Sequence, residues 1–139
     1  MSFTLVLPVR FADCDFAGIG YYPRLLALID AAIEDWSQEV LGVDRAAMRT
    51  RDHRGLPTVS LTVDFETPCR LGEQLALSVN VTKLGVSSIS LGVSAQVDGA
   101  PRFSASLVQV LLDTETGRAT HWPDHWRVQL QAALENDGA

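Results

Sequence analysis

Apolar residues take alternate positions at Phe3, Leu5, Leu7, Val9 and Phe11, the period of a strand with one buried face. Pro8 within this run predicts an edge position or a bulge, because proline cannot donate to a ladder. From Pro23 the period changes. Leu25, Leu26, Ile29, Ile33, Trp36 and Val40 recur every three or four residues, while Asp30, Glu34, Asp35 and Glu39 occupy other angles. That pattern predicts an amphipathic helix that begins at Pro23, where the missing N–H costs nothing, and stops at Gly42.

Alternation then returns in Val59, Leu61, Val63 and Phe65, in Leu75 to Val81, and in Ile89 to Val97. Gly85 separates the second of these runs from the third, and Asp98-Gly99 signals a hairpin. A fourth run, Arg102 to Asp113, ends almost continuously apolar, as a central strand would. Asp113 to Gly117 reads as a turn, Asp124 to Leu134 as a short terminal helix, and 135–139 as a frayed polar tail. One long helix cannot cover its own stripe, so the order of elements predicts an α+β domain. In it a five-stranded antiparallel sheet wraps around one long central helix.

At 139 residues the chain is long enough for a single domain with a real core, residues 1–139. Its apolar runs are too short to cross a bilayer, and its N-terminus lacks the basic head of a secretory signal. The expected location is therefore cytoplasmic. A net charge of −6 argues against binding to nucleic acid or to an anionic membrane. Cys14 and Cys69 form neither a disulfide framework nor a metal spacing. Positive charge is almost entirely arginine, and Arg49, Arg51 and Arg54 cluster in what reads as a loop. Arginine pairs bidentately with phosphate, so these three are candidate contacts for a phosphate-bearing substrate.

The segment Phe11 to Pro23 carries the candidate chemistry. It places Asp15 in a loop with Gly18 and Gly20 that runs into the predicted helix start, where backbone N–H groups lack partners. A carboxylate beside such donors suits attack on an ester or thioester carbonyl, since the helix end favours charge developing on the oxygen. Asp13 is read as an acceptor holding the loop. Asp30, Glu34 and Asp35 are read as a solvated face, and His53, His121 and His125 as surface or interface residues. No G-x-S-x-G elbow is present.

These residues also carry a family resemblance. Asp13-Cys-Asp15, Gly18 and Tyr22-Pro23 resemble the D-x-D-x-x-G-x-x-x-Y-P pattern of hotdog-fold acyl-CoA thioesterases of the 4-hydroxybenzoyl-CoA type. Pro57-Thr-Val-Ser60, Thr67 to Glu73, Lys83 to Ser88 and Asp113 to Arg118 resemble the later segments of that family, so the likeness spans nearly the whole chain. The resemblance implies a hotdog fold and hydrolysis of an acyl-CoA thioester with a small aromatic or medium-length acyl group, with Asp15 as nucleophile or general base. It also implies the Tyr22 N–H polarising the carbonyl, and an active site between two subunits of a homodimer or homotetramer.

No metal or redox cofactor is implied, and coenzyme A enters only as part of the substrate. Gly18, Thr58, Ser60 and Lys83 are the further candidate substrate contacts. Related subfamilies carry His where Tyr22 stands, which aligns this chain with the aromatic-acyl branch. The family's basic run near Lys83 is reduced here to that one lysine, so an acyl-carrier-protein thioester is an alternative substrate to acyl-CoA. The rival functions are a hotdog dehydratase or hydratase, and a non-catalytic subunit that binds acyl thioesters.

Overall fold

The computed structural model describes residues 3–138. Five strands form one antiparallel sheet: β1 (Phe3–Pro8), β3 (Thr58–Phe65), β4 (Gln74–Leu84), β5 (Ser88–Val97) and β6 (Ala100–Val110). Their spatial order is β1-β4-β5-β6-β3. Pro8 ends an edge strand, where its missing donor is harmless. The inward residues of β4, β5 and β6 (Leu75, Leu77, Val79; Ile89, Leu91, Val93; Phe103, Ala105, Leu107) are all buried. The opposite face carries Ser78, Ser90, Ser94, Ser104 and Ser106 in matching register. A single apolar face fixes the register, because a slip by one residue would turn every one of these side chains to water.

The long helix α1 (Tyr22–Leu41) lays Leu25, Ile29, Ile33 and Trp36 against that face, and Asp30, Glu34, Asp35 and Glu39 point away from it. Each such side chain, fully buried, stabilises the fold by roughly 1.5–3 kcal/mol. Gly42 ends the helix in the left-handed region at φ 70°, its N–H donating to Gln38 O at 2.9 Å. The α+β plan of a sheet around a central helix is as expected.

Three features differ from the sequence reading. The arginine segment is not all loop. Asp44 accepts from the Ala47 N–H at 2.7 Å and caps a six-residue helix, α2 (Arg45–Thr50), which buries Met48. Six residues are too few to show a period. The run 102–113 is broken after Val110, and a small second sheet forms from β2 (Arg54–Gly55), β7 (Leu112–Asp113) and β8 (Arg118–Ala119).

The terminal helix runs past Leu134, because α3 extends over Asp124–Asp137. Past the Phe3↔Val79 pair, the Val81 N–H turns to Asp137 Oδ2 at 2.8 Å, so the helix end satisfies a donor of β4. Trp122 Nε1 and Arg127 Nη1 donate to Ser88 O and Gly85 O, which ties α3 to the β4–β5 connection. Residue 139 lies outside the described residues. Among the described residues, no helix is long and apolar enough to cross a membrane.

Candidate active site

The segment between β1 and α1 is a tight hairpin. Cys14 and Gly20 bridge antiparallel, the Asp15 N–H donates to Ile19 O at 2.9 Å, and the Tyr21 N–H donates to Asp13 O at 2.7 Å. Gly18 sits at φ 76°, where a side chain would be strained. The two aspartates have separate tasks. Asp13 is buried; it accepts from the Arg10 N–H at 2.9 Å and lies 3.5 Å from Arg24 Nε. It is the structural acceptor. Asp15 is exposed and accepts from the Ala17 and Ile19 N–H groups at 2.9 and 3.2 Å, both on Oδ1. Its second oxygen, Oδ2, has no hydrogen-bond partner among the described residues. The loop therefore orients this carboxylate and leaves one oxygen available.

Pairing of Asp13 with Tyr21 across the hairpin brings the acidic strand alongside the start of α1. That start is under-capped: Tyr21 is the N-cap and supplies no side-chain acceptor, and Pro23 has no N–H. The amides of Arg24 and Leu25 fold back onto Tyr21 O. This leaves the Tyr22 N–H without an acceptor among the described residues, at the positive end of a 20-residue helix. An unpaired amide at that end is a ready donor to an anionic oxygen.

Beside it opens a cleft of about 300 Å³, lined by Gly20, Tyr22, Leu25, Phe65, Glu66 and Cys69 among others. The opposite wall is a loop whose Cys69 O accepts from the Gly20 N–H at 2.7 Å. That loop is anchored by Glu73, which receives both Arg102 guanidinium nitrogens at 2.8 Å and the Arg70 N–H at 2.6 Å. Phe65, Glu66 and Cys69 escaped the sequence reading. They come from the end of a strand and the turn after it, where no spacing marks a pocket.

Cys69 faces the cleft, but it is not equipped as a nucleophile. Burial pushes its thiol up from the ordinary value, and Glu73 and Cys14 act in the same direction against Arg102. A thiol held protonated is inert. Cys69→Ala is therefore expected to keep kcat within about tenfold of the parent, a smaller loss than removal of a catalytic base brings, as steady-state kinetics would show.

The other predicted contacts are dispersed. A bulge between Thr58 and Ser60 puts Thr58 opposite Gln109 and Ser60 opposite Val108. Thr58 Oγ1 accepts from buried Gln109 Nε2 at 3.2 Å, so the bulge turns Thr58 to the core face and Ser60 to the outer face. They do not line one pocket, and neither borders the cleft of its own chain. Lys83 sits exposed at the β4 bulge. Arg51 is engaged by Asp52 at 3.1 Å, and Arg54 lies 3.7 Å from Asp113. Arg49 and Arg54 border a separate pocket near α2. Of the histidines, His53 approaches Glu115 at 3.4 Å and His125 lies tilted against Trp126, with ring centroids 5.5 Å apart.

Exposed aromatic surface concentrates around the hairpin: Phe11, Phe16, Tyr21 and Tyr22 are all more than half exposed. On β3, Leu61 and Phe65 lie on the core face of the sheet, opposite Leu107 and Phe103, yet they are exposed, as is Val59 in the bulge.

A family model described as the thioesterase-like superfamily matches residues 9–134. The chain belongs to that superfamily. It is a thioester hydrolase with the hotdog fold. A 1,4-dihydroxy-2-naphthoyl-CoA hydrolase from Nostoc punctiforme is 29% identical over 124 residues, covering 89% of this thioesterase and 83% of the relative. The crystal structure of a thioesterase superfamily protein from Jannaschia sp. superposes with a TM-score of 0.89 at 26% identity, covering 96% and 93% of the two chains. A Staphylococcus aureus protein solved in complex with CoA shares the fold at a TM-score of 0.92 and 12% identity, covering 99% of this thioesterase and 86% of that chain.

Proposed function

We propose that this thioesterase hydrolyses an aromatic acyl-CoA, with Asp15 as the catalytic carboxylate and the Tyr22 N–H as the donor to the oxyanion. Two observations support this reading: a carboxylate with one oxygen unengaged in the hairpin that leads into α1, and an unpaired amide in the first turn of that helix. As general base, Asp15 takes a proton from water while the oxygen attacks the thioester carbon. Charge then collects on the carbonyl oxygen, against the amide and the helix end. Collapse breaks the carbon–sulfur bond, and the proton held by Asp15 passes to the departing thiolate. As nucleophile, Asp15 would instead form a mixed anhydride that water then opens. Repeated turnover in heavy-oxygen water distinguishes the two, because only the anhydride route leaves label in the Asp15 carboxylate.

The apolar walls given by Tyr22, Leu25 and Phe65 suit a flat ring, in keeping with the naphthoyl-CoA activity of the Nostoc relative. The reaction so drawn needs no cofactor beyond the CoA of the substrate. It also needs no histidine, and among the described residues none lines the cleft, which disfavours hydration and dehydration chemistry. The bare core face of β3 and the aromatic rim of the hairpin support a second copy paired along the β3 edge, as burial of both would remove them from water. Pairing of dimers into a tetramer follows the same resemblance.

A thiol-release assay across benzoyl-, naphthoyl- and straight-chain CoA thioesters, with acyl-carrier thioesters alongside, tests the proposal. Turnover is expected to be fastest on the aromatic CoA thioesters. Turnover confined to acyl-carrier thioesters would overturn the assigned carrier, and none on any thioester would overturn hydrolysis.

A further inference from the structure

The pocket near α2 gathers arginines whose hydrogen-bonding capacity is only partly used: Arg54 Nη1 donates to Asp52 O and His53 O at 3.4 and 3.2 Å. The pocket measures about 310 Å³ and is bordered by Arg45, Arg49, Arg54, Met48 and Leu56 among others. Two guanidinium nitrogens in it, Arg45 Nη2 and Arg54 Nε, are buried and have no hydrogen-bond acceptor among the described residues. Burial lowers the Arg45 guanidinium from its usual value, with Asp30 and Glu34 opposing. Its Nε donates to Ser37 Oγ at 3.1 Å, and Asp113 is the acidic group beside Arg54. Leaving a buried N–H unpaired is costly, and more so for a charged group, so the pocket favours an anion rich in acceptors. Three guanidiniums grouped in a chain of net charge −6 also give an anionic substrate a local attraction that the whole molecule lacks.

Within one chain this pocket is far from the candidate active site. Arg45 touches Ser37, fifteen residues along α1 from Tyr22, or roughly 22 Å at 1.5 Å per residue. Strand β3 tells the same story. The arginine pocket adjoins its start, through Arg54 and Leu56, and the cleft adjoins its end, through Phe65 and Glu66. The eight residues between span about 24 Å. Two β3 edges joined antiparallel about a twofold axis that passes near the middle of the strand place the start of one beside the end of the other. The two distant sites then become neighbours across the interface.

We infer that Arg45, Arg49 and Arg54 form a phosphate-binding pocket that serves the active site of the other subunit, holding the nucleotide phosphates of the CoA whose thioester lies against that subunit's Asp15 and Tyr22. The assignment rests on the proposed acyl-CoA substrate and β3-paired dimer. It exchanges one of the arginines expected from sequence: Arg51 is engaged by Asp52, and Arg45 takes its place.

Two variants test it with little risk to folding. Arg49→Ala removes an exposed side chain, and Arg54→Lys keeps the charge beside Asp113 but removes the buried Nε–H. Titration of free CoA into each, by calorimetry, is expected to show affinity weakened about tenfold, a fall that pantetheine, which lacks the nucleotide, does not share. Mixed dimers, co-expressed with two tags, test the crossing. A dimer of Asp15→Asn with Arg49→Ala has one working carboxylate, served by the intact pocket of the Asp15→Asn chain, so its KM for acyl-CoA should match the parent. A dimer of the wild type with the doubly substituted chain should show the raised KM.

The reverse pattern, unchanged CoA affinity in both variants, or a monomer in solution would overturn the inference. Should no thioester be hydrolysed while the arginine variants still weaken CoA binding and the chain is dimeric, hydrolysis fails and the pocket stands.

Discussion

Asp15→Asn should lose about a thousandfold in kcat, within the range that a positioned acid or base contributes, while retaining its fold and its affinity for substrate. The substitution isolates charge from structure. The two hydrogen bonds that hold this side chain, from the Ala17 and Ile19 amides, both fall on Oδ1. An asparagine carbonyl accepts them in the same place. Lost is the second, unengaged oxygen as a base or nucleophile, together with its negative charge. Single-turnover kinetics on an aromatic acyl-CoA, with the thermal midpoint and CoA affinity measured in parallel, would check this. Wild-type rates in the asparagine variant would remove Asp15 from the mechanism, and a collapsed midpoint would show that the loop depends on the charge itself.

The second large effect is expected at Arg102. Its guanidinium forms a two-pronged pair with Glu73 at 2.8 Å and donates to Pro68 O at 2.7 Å, with side chains only 13% and 21% exposed. Arg102→Met keeps the apolar stem but leaves Glu73 partly buried and unpaired. Removal of one partner from such a pair destabilises by about 3 kcal/mol or more, whereas replacement of both costs much less. Urea unfolding should therefore show a large loss for Arg102→Met and partial recovery in the double variant Arg102→Met, Glu73→Leu. The recovery is incomplete because Glu73 also receives the Arg70 N–H. The same loop carries Cys69 O, which holds Gly20, so a loosened pair should raise KM as well. An equally stable Arg102→Met would show that this pair contributes nothing net.

Elements with a long period were legible in the sequence. The stripe from Leu25 to Val40 predicts α1, and the alternation in Leu75–Val81 and Ile89–Val97 predicts β4 and β5, because each buries one face against a common core. What stayed hidden was short or tertiary. The six residues of α2 and the two-residue strands β2, β7 and β8 carry too few positions to repeat anything. Asp137 seals α3 onto β4 only through a backbone amide 56 residues away, so the polar tail gave no sign of helix.

At the site, the hairpin motif indicated Asp15 and Tyr22 together. The cleft wall did not appear, because Phe65 and Cys69 reach it by chain reversal. Thr58 and Ser60 read as neighbours on one face until the bulge between them is seen. For the arginines, proximity in sequence grouped 49, 51 and 54, whereas the capped turn of α2 brings 45 to the pocket in place of 51.

The proposed oxyanion donor belongs to the main chain of Tyr22, a residue that lies 60% exposed. Chemistry and selectivity are thereby uncoupled at a single position. Any residue that still carries an amide hydrogen can occupy position 22 and keep the polarising dipole, so its side chain can be redrawn to admit other acyl groups. Proline alone is barred. A saturation library at that codon would thus sample substrate preference while the reaction machinery beneath it stays constant.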